Sequence, residues 1–181
     1  MKILTEFHTS KWSKGETTEL YISPESASLT KRDFDFRISI ATINGESTFT
    51  PFDGFSRVLT LLEGELELIH KGNHTTNLLP FDQDYFKGAW TTKSFGIAKD
   101  FNVICKEELE PFVEVMHLKA GQNRALDAIE NDRIIYVEEG QVEIGEEKIQ
   151  SESLILLDNS SVHIKTDISS IIIICSFENI H

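Results

Sequence analysis

With 181 residues, 40% of them hydrophobic and 26% charged, the chain has the make-up of a globular protein with one core or two closely packed ones, which excludes a disordered or fibrous chain. Against 17 basic residues stand 30 acidic ones, a formal charge of −13, and a surface of that sign repels phosphate backbones and anionic lipid, so nucleic acid and membrane are excluded as partners. No basic segment followed by an apolar run opens the sequence, and the longest apolar stretch, Ile171 to Cys175, is too short to span a bilayer. Cys105 and Cys175 sit in separate apolar stretches without ligand spacing. They read as reduced core thiols, and a cytoplasmic address is expected.

Period-two alternation runs through the chain. Phe34, Phe36, Ile38 and Ile40 point one way while Asp35, Arg37, Ser39 and Ala41 point the other, the pattern of a half-buried strand. Further strands are predicted over Arg57 to Glu63, Glu65 to Ile69, Asp100 to Cys105, Phe112 to Leu118, Arg133 to Glu138, Gln141 to Ile144, Leu154 to Leu157 and Ser170 to Phe177. Asn44-Gly45, Asp53-Gly54, Gly72-Asn73 and Asp158-Asn159 punctuate them. Many short strands with no long helical pattern predict an all-β sandwich or barrel.

Laid on itself at a shift of 76 residues, the chain repeats. Arg57 to Leu68 (RVLTLLEGELEL) falls on Arg133 to Ile144 (RIIYVEEGQVEI), and Leu78 to Asp82 (LLPFD) falls without a gap on Leu154 to Asp158 (LILLD). A duplicated β unit is expected, with Gly64 and Gly140 equivalent, Arg57 over Arg133 and Asp82 over Asp158. The Gly between two apolar strands predicts a tight reversal or a bulge, where the backbone takes φ > 0. Strand, Glu-Gly, strand resembles the central hairpin of a cupin jelly roll.

Five ordered blocks carry a closer resemblance: Trp12-Ser-Lys-Gly15-Glu-Thr-Thr18-Glu19-Leu20, Asp33-Phe-Asp-Phe-Arg37-Ile-Ser39-Ile-Ala41, Phe49-Thr-Pro-Phe52-Asp-Gly54-Phe-Ser-Arg57, Leu61-Leu62-Glu63-Gly64 and Asp100-Phe101-Asn102-Val103. In this order they resemble the HutD/Ves family over residues 7 to 106. The resemblance departs at Ser13-Lys14-Gly15-Glu16 and at Cys105-Lys106-Glu107. It implies a bicupin, with residues 1–110 as the first cupin-like half and 111–181 as the second, packed as one compact unit. Some members are linked to regulation of histidine utilisation and others to stress responses.

Metal-dependent cupins hold their ion with a His-x-His pair and a Glu before the Gly-bearing hairpin and another His after it. Neither Phe49 to Arg57 nor Leu118 to Arg133 contains a histidine, and His163 stands alone, so neither a metal nor a cofactor is expected. His70 and His74 flank Lys71-Gly72-Asn73 and read as a solvated hairpin tip, although they could meet across it. His8, His117 and His181 have no partner in sequence. What remains is a polar set on apolar strands. Arg37 and Ser39 share one strand face, as do Asp100 and Asn102, while Glu19 follows a Thr pair and Arg57 begins the hairpin. These six residues are the expected ligand-binding set, with Arg37 and Arg57 as planar donors to a small carboxylate and Arg37 bonded to Asp100 or a bound anion. The competing reading is an ordinary solvated sheet face with Arg37 paired to Asp35 or Asp100. Two functions follow: a non-enzymatic, regulatory small-molecule binder, or a metal-independent isomerase or lyase with Glu19, Glu63 or Asp100 as acid/base.

Overall fold

The computed structural model describes residues 1–129 and 133–179, with the side chain of the last left aside, so His181 lies outside the described residues. Among them every regular element is a strand, as the alternation requires, and no helix is long and apolar enough to cross a membrane. The predicted strands fall within observed ones, except that the strand expected from Phe34 begins at Phe36. The chain divides into two units, Phe7–Glu108 and Met1–Glu6 with Leu109–His181.

The first unit holds β2 (His8–Trp12), β3 (Gly15–Ser23), β4 (Phe36–Asn44), β5 (Ser47–Thr48), β6 (Phe55–His70), β7 (Thr75–Leu78), β8 (Gln83–Lys87) and β9 (Thr92–Lys106). They form one antiparallel sheet in the order β2-β3-β4-β9-β6-β7, with β5 on β9 and β8 on β6. β6 and β9 are its spine, paired from Phe55↔Lys106 to His70↔Thr92. Leu59, Leu61, Leu66, Leu68 and Phe86 close one apolar cluster on it, and Phe34, Phe52, Phe55 and Ile104 another.

The second unit holds β1 (Lys2–Leu4), β10 (Leu109–Leu118), β11 (Asn123–Leu126), β12 (Arg133–Glu139), β13 (Gln141–Ile144), β14 (Glu147–Gln150), β15 (Ser153–Leu157), β16 (Val162–Lys165) and β17 (Ser170–Asn179). Its sheets run β1-β15-β12-β17-β10 and β11-β16-β13-β14, over a core of Ile135, Val137, Ile155, Ile164, Ile172 and Ile174. Residues 2–4 pair with β15 and Ile3 packs on this core. The first residues of the chain therefore belong with the second unit, because that is where their apolar side chains are covered.

The duplication is visible in the hydrogen bonding. The register slips between Leu61 and Glu63 in β6 and between Val137 and Glu139 in β12, two bulges 76 residues apart. Gly64 and Gly140 follow at φ +84° and +79°. The amide of Phe81 donates to the Leu61 carbonyl at 2.7 Å and that of Glu152 to the Val137 carbonyl at 2.8 Å, and both donors have positive φ. At Gly64 the chain does not reverse. It stays within one continuous strand, so the bulge reading holds and the hairpin reading does not.

The gapless match of LLPFD to LILLD also fails. β6 pairs Arg57 with Phe86, whereas β12 pairs Arg133 with Leu157. By register, Asp158 therefore stands where Lys87 does, and Asp82 where Ser153 does. The slip lies in the intervening hairpin: Leu68 faces Thr76 across the turn at His70 to His74, while its counterpart Ile144 faces Glu147 across Gly145-Glu146 alone. The first unit carries a longer hairpin tip.

Candidate functional site

β9 lies between β4 and β6, and one face of these three strands carries a polar patch among apolar residues. Ser39 stands opposite Asn102, and Arg37 and Arg57 stand opposite Ile104 from its two sides. Because alternate residues share a face, Arg37, Ser39, Arg57, Asp100 and Asn102 turn toward the same space. They line one cavity of about 580 Å³, walled also by Trp12, Phe49 and Phe52. All five are buried, Asp100 to 1% exposure. The solvated-face reading of this strand surface is thereby overturned.

Arg37 does not bond to Asp100. Its Nε donates to Glu19 Oε2 at 2.7 Å and its Nη1 to Ser39 Oγ at 3.1 Å. Glu19 lies directly across from Ser39 on β3, one strand further from β9 than Arg37, and is the nearer carboxylate. It is not among the residues lining the cavity, is about a third exposed, and fixes Arg37 from beside the space. Asp35, the other expected partner, takes Lys106 at 2.7 Å.

Arg57 is held by rings. Its guanidinium carbon is 5.1 Å from the Phe49 ring centre, 5.4 Å from that of Phe52 and 5.7 Å from that of Phe86, a cation–π cage. Burial pulls the Arg57 guanidinium down to about 10; Asp100 acts against this and Arg37 adds to it. Burial likewise pushes the Asp100 carboxyl up to about 7, with Arg57 acting against it. Near neutral pH Asp100 thus exists in both forms, able to accept or to donate a hydrogen bond.

Three polar atoms at this site have no hydrogen-bond partner among the described residues: Arg57 Nε, Asp100 Oδ1 and Asn102 Oδ1. A buried polar group left unmade costs about 1–3 kcal/mol. The second unit shows the alternative. Leu61 pairs with Asp100 and Leu59 with Asn102, while their counterparts Val137 and Ile135 pair with Ile172 and Ile174. Those isoleucines belong to the second core. The same two positions are aliphatic filling in one repeat and unsatisfied polar groups in the other. Two guanidinium groups facing the cavity also make it unsuited to a cation.

Glu63 is exposed and lies 3.4 Å from Lys99, away from the cavity. His163 is exposed. His70, expected in a solvated tip, is buried, and only His74 beside it is open to solvent. Reasoning from the sequence missed the aromatic cage. Phe49 and Phe52 appear in the Phe49-Thr-Pro-Phe52 block, but nothing local marks them as rings set over Arg57.

A family model described as HutD matches residues 4–173. Among curated relatives, an uncharacterized 21.2 kDa protein in the hutC 3′ region of Pseudomonas putida is 36% identical over 75 residues, covering 39% of this chain and 40% of that protein. Protein Ves of Citrobacter koseri is 33% identical over 99 residues, covering 52% and 50%. The chain spans about half the length of the curated relatives it matches. Among solved structures, HutD from Pseudomonas fluorescens SBW25 in a formate condition superposes with TM-score 0.74 at 20% identity, over 98% of this chain and 99% of that one. Lactobacillus farciminis oxalate decarboxylase in a formate complex gives 0.75 at 8% identity, over 98% and 86%. These likenesses are of fold, an all-β chain of two cupin-like halves.

Proposed function

Because the chain belongs to the HutD family, we propose that it is a regulatory bicupin that senses a small polar metabolite bearing a carboxylate. The unpartnered Arg57 Nε, Asp100 Oδ1 and Asn102 Oδ1 in one cavity carry this reading. A carboxylate on the ligand would engage Arg57, a donor group would meet Asn102, and Glu19 would keep Arg37 aimed. The cavity, at about 580 Å³, falls in the range of small-molecule sites. The relative in the hutC 3′ region supports a link to histidine utilisation. Two buried thiols, with Cys105 pushed up to about 12 by burial, agree with a cytoplasmic setting.

A thermal-shift screen of small carboxylates, histidine-pathway intermediates included, tests the proposal. Stabilisation of the wild type by at least one of them, lost in Arg37→Ala, is the expected result. No stabilisation by any member of the panel overturns it.

A second reading is favoured by Asp100 alone. A carboxyl at about 7 inside a cavity suits proton transfer, as a metal-independent isomerase or lyase needs. Each stabilising carboxylate, followed by NMR over time with wild type and Asp100→Asn, separates the two: turnover that depends on Asp100 supports an enzyme, and unchanged ligand supports a sensor.

A further inference from the structure

We propose that His70, His74 and Asp84 form a binding site for a first-row divalent cation at the long hairpin tip of the first unit. This site is separate from the arginine cavity and does not rest on the function proposed for it. His70 ends β6, His74 precedes β7 and Asp84 lies on β8. The hairpin is closed by its own backbone: the His70 amide donates to the His74 carbonyl at 2.9 Å and the Asn73 amide to the His70 carbonyl at 2.9 Å. Asp84 bridges the two rings, with Oδ2 at 2.7 Å from His70 Nε2 and Oδ1 at 3.0 Å from His74 Nε2.

The donor set fits such an ion. Two imidazole nitrogens and a carboxylate suit zinc, nickel or cobalt. One ligand atom from each residue lies within 4.8 Å of the others. A tetrahedral ion with ligand bonds near 2.1 Å separates its donors by roughly 3.4 Å, so the two short contacts need open by well under about 1 Å. The open sides face a cleft of about 490 Å³ that Lys71 and Lys93 also line. Lys93 is neutralised by Glu46 at 3.2 Å. Lys71 weakens a bare cation but favours an anionic or hydroxide fourth ligand.

The setting of His70 points the same way. Its Nδ1 lies 2.8 Å from Thr92 Oγ1, while Nε2 faces the Asp84 carboxylate at 2.7 Å. An outer partner at Nδ1, with the ring packed 4.5 Å from Phe86 and 5.6 Å from Trp90, is the arrangement that orients a metal-bound histidine. The second unit, with only Gly145-Glu146 at its tip, has no counterpart.

Calorimetric titration of chelator-treated full-length protein with zinc, and visible absorption after cobalt addition, test the site. The wild type should take up one zinc ion per chain and give a cobalt d–d band. His74→Ala and Asp84→Asn should each weaken zinc binding by at least about tenfold and abolish the band, while His163→Ala leaves both unchanged. His74 is 42% exposed, so His74→Ala decides the matter if Asp84→Asn fails to fold. A wild type that takes up no zinc, or His74→Ala with wild-type affinity, overturns the site and leaves a hydrogen-bonded histidine–carboxylate network in its place.

Discussion

Arg57 and Asp100 sit on one face of two adjoining strands, and burial brings Arg57 down to about 10 while holding Asp100 up to about 7. An acid raised from its ordinary 3.8 binds its proton more tightly in the folded state. Its contribution to stability is full below pH 3.8 and is lost as the pH climbs to about 7, by at most about 4 kcal/mol. Asp100→Asn removes that loss. In urea unfolding, the variant should gain on the wild type between about pH 4 and pH 8. A stability difference that does not change with pH would refute the raised carboxyl.

Gly64 and Gly54 both have φ near +80°, but they differ in what surrounds them. A Cβ at Gly54 meets nothing within 4 Å, whereas at Gly64 it collides with the Ile97 carbonyl oxygen of β9. Gly54→Ala should cost about 1 kcal/mol from backbone strain alone. Gly64→Ala should cost more than about 2 kcal/mol, because the β6–β9 ladder must also part. Guanidinium denaturation of the two variants compares them, and equal losses would mean the bulge is not tightly packed.

Glu19 neutralises Arg37 from beside the cavity. Glu19→Gln keeps an acceptor for Arg37 Nε and removes the negative charge, so the fold should persist. Any carboxylate that binds the wild type should bind this variant several-fold more tightly, with a steeper loss of affinity as salt is added. Weaker binding, measured by calorimetry at two ionic strengths, would show that the full charge of Glu19 is needed to aim Arg37.

The strands could be read in the sequence because alternation is local, and so could the shared face of Arg37 with Ser39 and of Asp100 with Asn102. What could not be read depended on partners distant along the chain. An apolar run, a glycine and a second apolar run suit a turn as well as a bulge, and only β9 running beside all of β6 decides for the bulge. The partner of Arg37 is fixed by the pairing of β3 with β4, which brings Glu19 opposite Ser39. His70 follows the same rule. Its neighbours Lys71, Gly72 and Asn73 are hydrophilic, and it is buried by Phe86 and Trp90 from elsewhere. The match of LLPFD to LILLD was similarity without equivalence, since the hairpin tips differ in length.

Asn102 gives the sharpest separation of stability from function. Its Oδ1 is buried without a partner, and the same position in the second unit is Ile174, packed in the core. Replacing a buried, unsatisfied amide by an apolar group of similar volume removes its desolvation cost and adds favourable burial. Asn102→Leu should therefore be neutral or more stable by about 1–2 kcal/mol in urea unfolding. Asn102→Asp, with a charge in the same enclosure, should be clearly less stable at neutral pH. If the cavity binds a ligand through Asn102, Asn102→Leu should also lose most of the ligand-induced thermal shift. A variant that is both less stable and fully able to bind would mean that Asn102 is a structural residue whose partner in the fold has still to be found.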